Sequence, residues 1–162
     1  FATHGLVPGD LDGLNQPALA LSAPKVAGVG GDGLLTMDEI FALRLNADWV
    51  VLSACNTASG EGAGAEAVSG LGRAFFYAGA RSLLVSNWPV HSGATAHLTS
   101  TLFSLQAADK TLSRAVALQQ TRLEMIDQGT QKDSRGESIF SYAHPLFWAP
   151  FTIIGDGEGA QR

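Results

Sequence analysis

The sequence predicts an α/β fold built on a mainly parallel sheet. Three observations lead there. Residues 49–54, Trp-Val-Val-Leu-Ser-Ala, form a continuously apolar, β-branched run, as in a strand covered on both faces. Residues 81–87, Arg-Ser-Leu-Leu-Val-Ser-Asn, form a second such run. The stretch between them is helical in composition, so strands and helices alternate as in βαβ units.

The 162 residues fit one domain, long enough to bury roughly 70% of the unfolded chain's surface. Hydrophobic residues make up 46% and charged residues 15%, which excludes a disordered chain, a coiled coil and a collagen-like rod. Apolar runs such as Trp49 to Cys55 fall far short of the roughly 18 residues of a membrane helix. The net charge is −5, and the ten basic residues are dispersed. That argues against a nucleic-acid or anionic-membrane partner. The single cysteine, Cys55, permits no internal disulfide and no cysteine-rich zinc site. A reducing compartment is the reading that follows.

In chain order, residues 1–4 read as a short apolar strand ending at His4-Gly5. Residues 6–15 hold Pro8, Gly9, Asp10 and Gly13 and read as a loop. A short strand follows at 17–22, and then a glycine-rich loop at 23–33. Thr36 with Glu39 three places on forms a capping box. Its helix is expected to run to about Leu45, with Met37, Ile40, Phe41 and Leu45 on one face. After the strand at 49–54, a small-residue loop at 56–65 is expected to be mobile. A helix over 66–78 closes at Gly79. Beyond the strand at 81–87, Ser92 is expected to cap a helix over 93–108. A further helix over 111–127 should turn Leu112, Val116, Leu123 and Ile126 inward. Residues 128–138 look polar and mobile. Residues 147–154 read as a last strand, with Pro150 marking an edge or a bulge.

The chemistry lies with His4 and Cys55. Each sits at the C-terminal end of an apolar strand, where open α/β sheets place their reactive crevice. A thiol needs a base or a positive neighbour to become a nucleophile at neutral pH, and an imidazole across the crevice supplies one. Gly5 could bring a bare backbone N–H to a substrate carbonyl. With the Cys55 N–H it would form an oxyanion hole. The plainer reading of Cys55 is a small core residue after a strand.

Phe1-Ala2-Thr3-His4-Gly5 followed by Val51-Leu52-Ser53-Ala54-Cys55-Asn56-Thr57 resembles the paired signature of CHAT domains, caspase-like cysteine peptidases related to separases. The likeness continues through 70–82, through Trp88-Pro89-Val90 with Ala94-Thr95, and through His144-Pro145 to Phe151, so it spans residues 1 to 157. It implies a caspase-like three-layer α/β sandwich whose first strands lie outside this sequence. It also implies a hairpin pairing 17–22 with about 33–36. His4 matches the general base, Cys55 the nucleophile, and Gly5 the glycine after the histidine. The implied activity is a cysteine endopeptidase with no metal or organic cofactor. Its substrate is a protein or peptide, laid along the strand end at Ser86, Asn87 and Trp88. The implied setting is a bacterial cytoplasm, in a regulated protein whose upstream segment carries helical repeats, often tetratricopeptide repeats. After Trp88-Pro89-Val90 the family tends to carry acidic residues, where His91 and Ser92 stand here. Asn87 stands where an aliphatic residue is common. Both departures bear on substrate preference.

The domain is thus expected over 1–157 as the C-terminal part of a CHAT domain, with 158–162 a tail. A strand at 1–4 that carries the base should have a neighbour on its far side. At least one more strand and a helix are therefore expected before Phe1.

Two rival readings remain: a catalytically silent scaffolding module of the same fold, and an acyltransferase using Cys55 on a small molecule. Gly28, Gly30 and Gly33 match G-x-G-x-x-G, and 62–67 match its G/A variant. Neither follows a strand directly or leads to an acidic strand end, as a dinucleotide site requires. His91 and His97 lie roughly 240° apart on a helix and cannot share a metal from one face.

Overall fold

The computed structural model describes residues 1–28, 30–53 and 63–157, with only the backbone of 63–69. It is a mixed α/β structure that divides into two compact units, Phe1–Pro89 and Val90–Arg162.

In the first unit, β1 (Gly5–Leu6), β2 (Ala18–Ala20) and β3 (Leu34–Thr36) form an antiparallel sheet in that order. The expected hairpin is present, with Leu19 opposite Leu35. The chain between its strands is not all loop: α1 (Pro24–Ala27) begins with Pro24 in its first turn, where the missing N–H costs nothing. Gly28 ends it in the left-handed conformation, φ +68°, and donates to the Pro24 carbonyl. Four residues are too few to leave a periodicity in the sequence.

The Thr36–Glu39 capping box is formed, and it opens α2 (Met37–Ala42). This helix stops short of Leu45 because Leu43 turns extended. The Leu45 N–H then reaches the Ala78 carbonyl at 2.6 Å. Next come β4 (Val50–Leu52), α3 (Ala63–Tyr77) and β5 (Ser82–Ser86). The β4 and β5 strands are parallel, with Leu52 opposite Val85. All five residues of β5 are buried, which is why its sequence is uniformly apolar between two serines. Leu19, Ile40, Leu52, Phe75 and Leu83 make the core of this unit. Each fully buried leucine contributes roughly 1.5–3 kcal/mol. Gly79 closes α3 at φ +107°, where an added Cβ would lie 2.2 Å from the Leu45 carbonyl oxygen.

The second unit holds α4 (Ser92–Ala108), α5 (Arg114–Asp127), β6 (Thr130–Lys132), β7 (Ser138–Ser141), α6 (Pro145–Trp148) and β8 (Phe151–Gly155). Four expectations are corrected here. The cap of α4 is His91, whose Nδ1 accepts the Ala94 N–H at 3.2 Å, and Ser92 is its first residue. The inner face of α5 is Arg114, Ala117, Leu118, Thr121 and Met125, while Val116, Leu123 and Ile126 face solvent. Polar residues can sit inside because they are satisfied. Arg114 donates to the Asp156 backbone and carboxylate, and the Thr121 hydroxyl donates to the Ala117 carbonyl at 2.8 Å.

Residues 128–138 are not a plain loop: β6 and β7 pair as a hairpin. The Asp133 carboxylate nucleates its turn by accepting the Arg135 and Glu137 N–H groups at 2.8 and 3.0 Å. Lastly, the His144-Pro145 pair starts α6, with His144 Nδ1 accepting the Leu146 N–H at 3.1 Å. The strand β8 therefore begins only after Pro150, which lies outside it. The α5 helix is pinned along it, Arg122 donating to the Phe151 carbonyl and the Ala115 N–H to that of Gly157.

Two outcomes follow. Gly79→Ala should destabilise by about 3 kcal/mol or more, since a disfavoured φ and a backbone clash add. Gly136, at φ +85° in open space, should cost about 1 kcal/mol as alanine. Thermal melts should separate the pair by several degrees, and equal midpoints would contradict this packing. The Glu137 and Arg135 N–H groups also hold the Asp133 carboxyl below the usual aspartate value. Its support of the turn is present above that ordinary value and is lost as pH falls through the lower, folded one. The Arg135 and Glu137 amide signals should shift together below about pH 4, and Asp133→Ala should abolish the transition.

Candidate active site

The site starts from a pairing of Phe1 with β4. The Phe1 amino group donates to the Val51 carbonyl at 2.6 Å, and the Ser53 N–H donates to the Phe1 carbonyl at 2.9 Å. Bonds to residues 51 and 53 from one residue between them are the signature of a parallel bridge, so Phe1 lies level with Leu52. The Phe1 ring packs 5.5 Å from that of Phe75, a buried residue of α3.

The predicted strand 1–4 does not continue along β4 as one element. The chain passes to the antiparallel sheet instead. The Thr3 hydroxyl donates to the Ala20 carbonyl, and the Ala20 N–H donates to the His4 carbonyl at 2.9 Å. From there β1 continues, with Gly5 opposite Leu19. His4 sits at this crossing, exposed to solvent. The bond from Ala20 to His4 makes Gly5 and Leu19 a non-hydrogen-bonded pair, so the Gly5 N–H points away from β2.

Cys55 lies outside the described residues, and so does its loop as far as residue 62. Of the loop expected at 56–65, residues 63–65 already belong to α3, which starts three residues earlier than its periodicity indicates. Ser86 is fully buried as the last residue of β5. Asn87 is half-buried, and Trp88 is 36% exposed.

The other histidines have structural duties. His91 caps α4, and its ring lies edge-on to Phe140 and Phe147 at 5.5 and 5.7 Å. His97 Nε2 lies 2.7 Å from a Glu124 carboxylate oxygen and ties α4 to α5. His144 caps α6. Gly28 and Gly33 both have positive φ at turns around α1, so that match to a dinucleotide motif is turn chemistry. Among the described residues no three His, Cys, Asp or Glu side chains gather as a metal site. Among the same residues no helix is long and apolar enough to cross a membrane. The pairing of Thr3 with Ala20 was not read from the sequence, where Thr3 is one hydroxyl within an apolar run.

The described parts thus define a mixed α/β domain with an exposed histidine where a short strand leaves the parallel pair. The chain belongs to the CHAT domain family, whose model matches residues 1–156. It is similar to Tetratricopeptide repeat protein 28 of Mus musculus, 34% identical over 127 residues. That match covers 75% of this chain, which spans 4% of the length of the relative.

His91, two places after Pro89, gives its own prediction. Removing the cap and ring of His91 by His91→Ala should cost about 1–2 kcal/mol. His91→Asn should recover the part due to the cap. Urea midpoints measure both; an alanine variant as stable as the parent would show that Nδ1 contributes no cap.

Proposed function

We propose that this chain is a caspase-like cysteine endopeptidase domain with His4 as general base and Cys55 as nucleophile. The observation that carries the reading is the parallel register of Phe1 with Leu52. His4 lies three residues beyond Phe1, and Cys55 three beyond Leu52. Counted along the sequence, both therefore stand close to the one bridge that joins their segments. Membership of the CHAT family supports the same pair.

In the proposed reaction the imidazole of His4 takes the Cys55 thiol proton. The Sγ attacks the scissile carbonyl carbon, and the oxyanion is held by the N–H groups of Gly5 and Cys55. Collapse breaks the C–N bond, and the imidazolium gives its proton to the leaving amine. Water, deprotonated by the same imidazole, then releases the acid from the thioester. The substrate would lie extended along 84–88, pairing with the backbone there. Ser86, being buried, would contribute main-chain groups only, whereas Asn87 and Trp88 would meet the side chains. The full polypeptide would carry helical repeats and work in a reducing cytoplasm. The repeat name of the mouse relative supports the first of these.

A peptide-library cleavage screen tests the reading. His4→Ala and Cys55→Ala should each abolish cleavage. The double variant should be little worse, because residues acting as a unit are not additive. Iodoacetamide should label Cys55 faster in the parent than in His4→Ala. Cleavage that survives Cys55→Ala would overturn the nucleophile. Peptide binding with no turnover would place the chain among scaffolding modules.

A further inference from the structure

We propose that Thr3 is a positioning residue for the proposed base, acting through the carbonyl of Ala20. The inference rests on the reading of His4 given above, but its geometry stands in the first unit alone. In a regular antiparallel ladder, His4 and Ala20 would exchange two bonds, N–H to carbonyl in each direction. Only one is made that way, from the Ala20 N–H to the His4 carbonyl at 2.9 Å. The Ala20 carbonyl accepts the Thr3 hydroxyl instead. A side chain thus stands in for the His4 N–H and occupies its acceptor.

This substitution sets where the imidazole goes. With the Ala20 carbonyl occupied, the backbone of His4 need not turn its N–H toward β2. The chain can leave β4 after Phe1 and enter β1 at Gly5 with His4 at the bend, its side chain exposed. Without the hydroxyl, the carbonyl is left unpaired, which costs about 1–3 kcal/mol. The alternative is that it draws in the His4 N–H, which rotates the backbone under the imidazole. A displacement of about 1 Å in a reacting group can cost roughly 100-fold in rate.

Thr3→Val keeps the shape and removes the donor, and Thr3→Ser keeps the donor. Thr3→Val is expected to lower kcat/KM on the best cleaved peptide roughly ten- to 100-fold, mostly in kcat, with Thr3→Ser restoring most of it. The three-bond couplings and ring shifts of His4, read by NMR on the whole 162-residue chain, should change in Thr3→Val and return in Thr3→Ser. A purely structural hydroxyl would lower the melting temperature and leave the His4 rotamer as it is in the parent. That result, or an unchanged kcat with unchanged couplings, would overturn the inference. If the chain cleaves no peptide at all, the peptidase reading fails, and the His4 couplings alone still decide the role of Thr3.

Discussion

Two hydrogen bonds join Phe1 to β4, and most of what can be said about the site depends on them. They fix a parallel register, and a register determines which residues lie level and on which side they emerge. The ring of Phe1 against Phe75 adds a second anchor, tying the same residue to the helix that follows the proposed nucleophile loop. The bonds from Thr3 and Ala20 then take the chain away to β2 within two residues. His4 therefore stands between two sheets of opposite sense. Its carbonyl is held by one of them, and its side chain is free to face solvent. The proposed base, at such a bend, would need no helix or long strand of its own.

Much of this arrangement was legible in the sequence. The buried β5, the capping box at Thr36 and the left-handed Gly79 follow from composition and spacing that have one physical reading, and the hairpin of β2 with β3 is what the resemblance to the family implied. The family, too, could be read from the order of its short motifs. What was not legible has a common cause. On α5 the apolar residues Val116, Leu123 and Ile126 point to solvent, while Arg114 and Thr121 are buried. Hydropathy cannot foresee that, because the partner of Arg114 is Asp156, 42 residues away. The hairpin at 130–141 was hidden for a similar reason. Its stability lies in a carboxylate collecting backbone donors at a turn, and polar composition alone resembles a loop. The His144-Pro145 start of α6 was readable as a helix signal and was outweighed by the aromatic run behind it.

The candidate site divides in the same way. The end of β5 is a strand end as expected, whereas His4 and Gly5 lie where the chain has already turned to β2, with no strand 1–4 before them. The contribution of Thr3 was missed because a threonine beside a histidine has no signature until its acceptor is known. His91 shows the reverse case. Its position draws attention beside Trp88-Pro89-Val90, and in the fold it is a helix cap made by an imidazole nitrogen.

The central claim is that His4 and Cys55 share one crevice, and a bifunctional alkylating agent measures this most directly. Treated with 1,3-dibromoacetone, the thiol should react first, and the tethered second carbon should then capture the nearest imidazole nitrogen. Tryptic digestion places His4 in peptide 1–25 as its only histidine, and Cys55 in peptide 45–73. The account predicts a mass-spectrometric species joining these two peptides, absent in His4→Ala. Complete single-ended alkylation of Cys55, with no link to peptide 1–25, would contradict it.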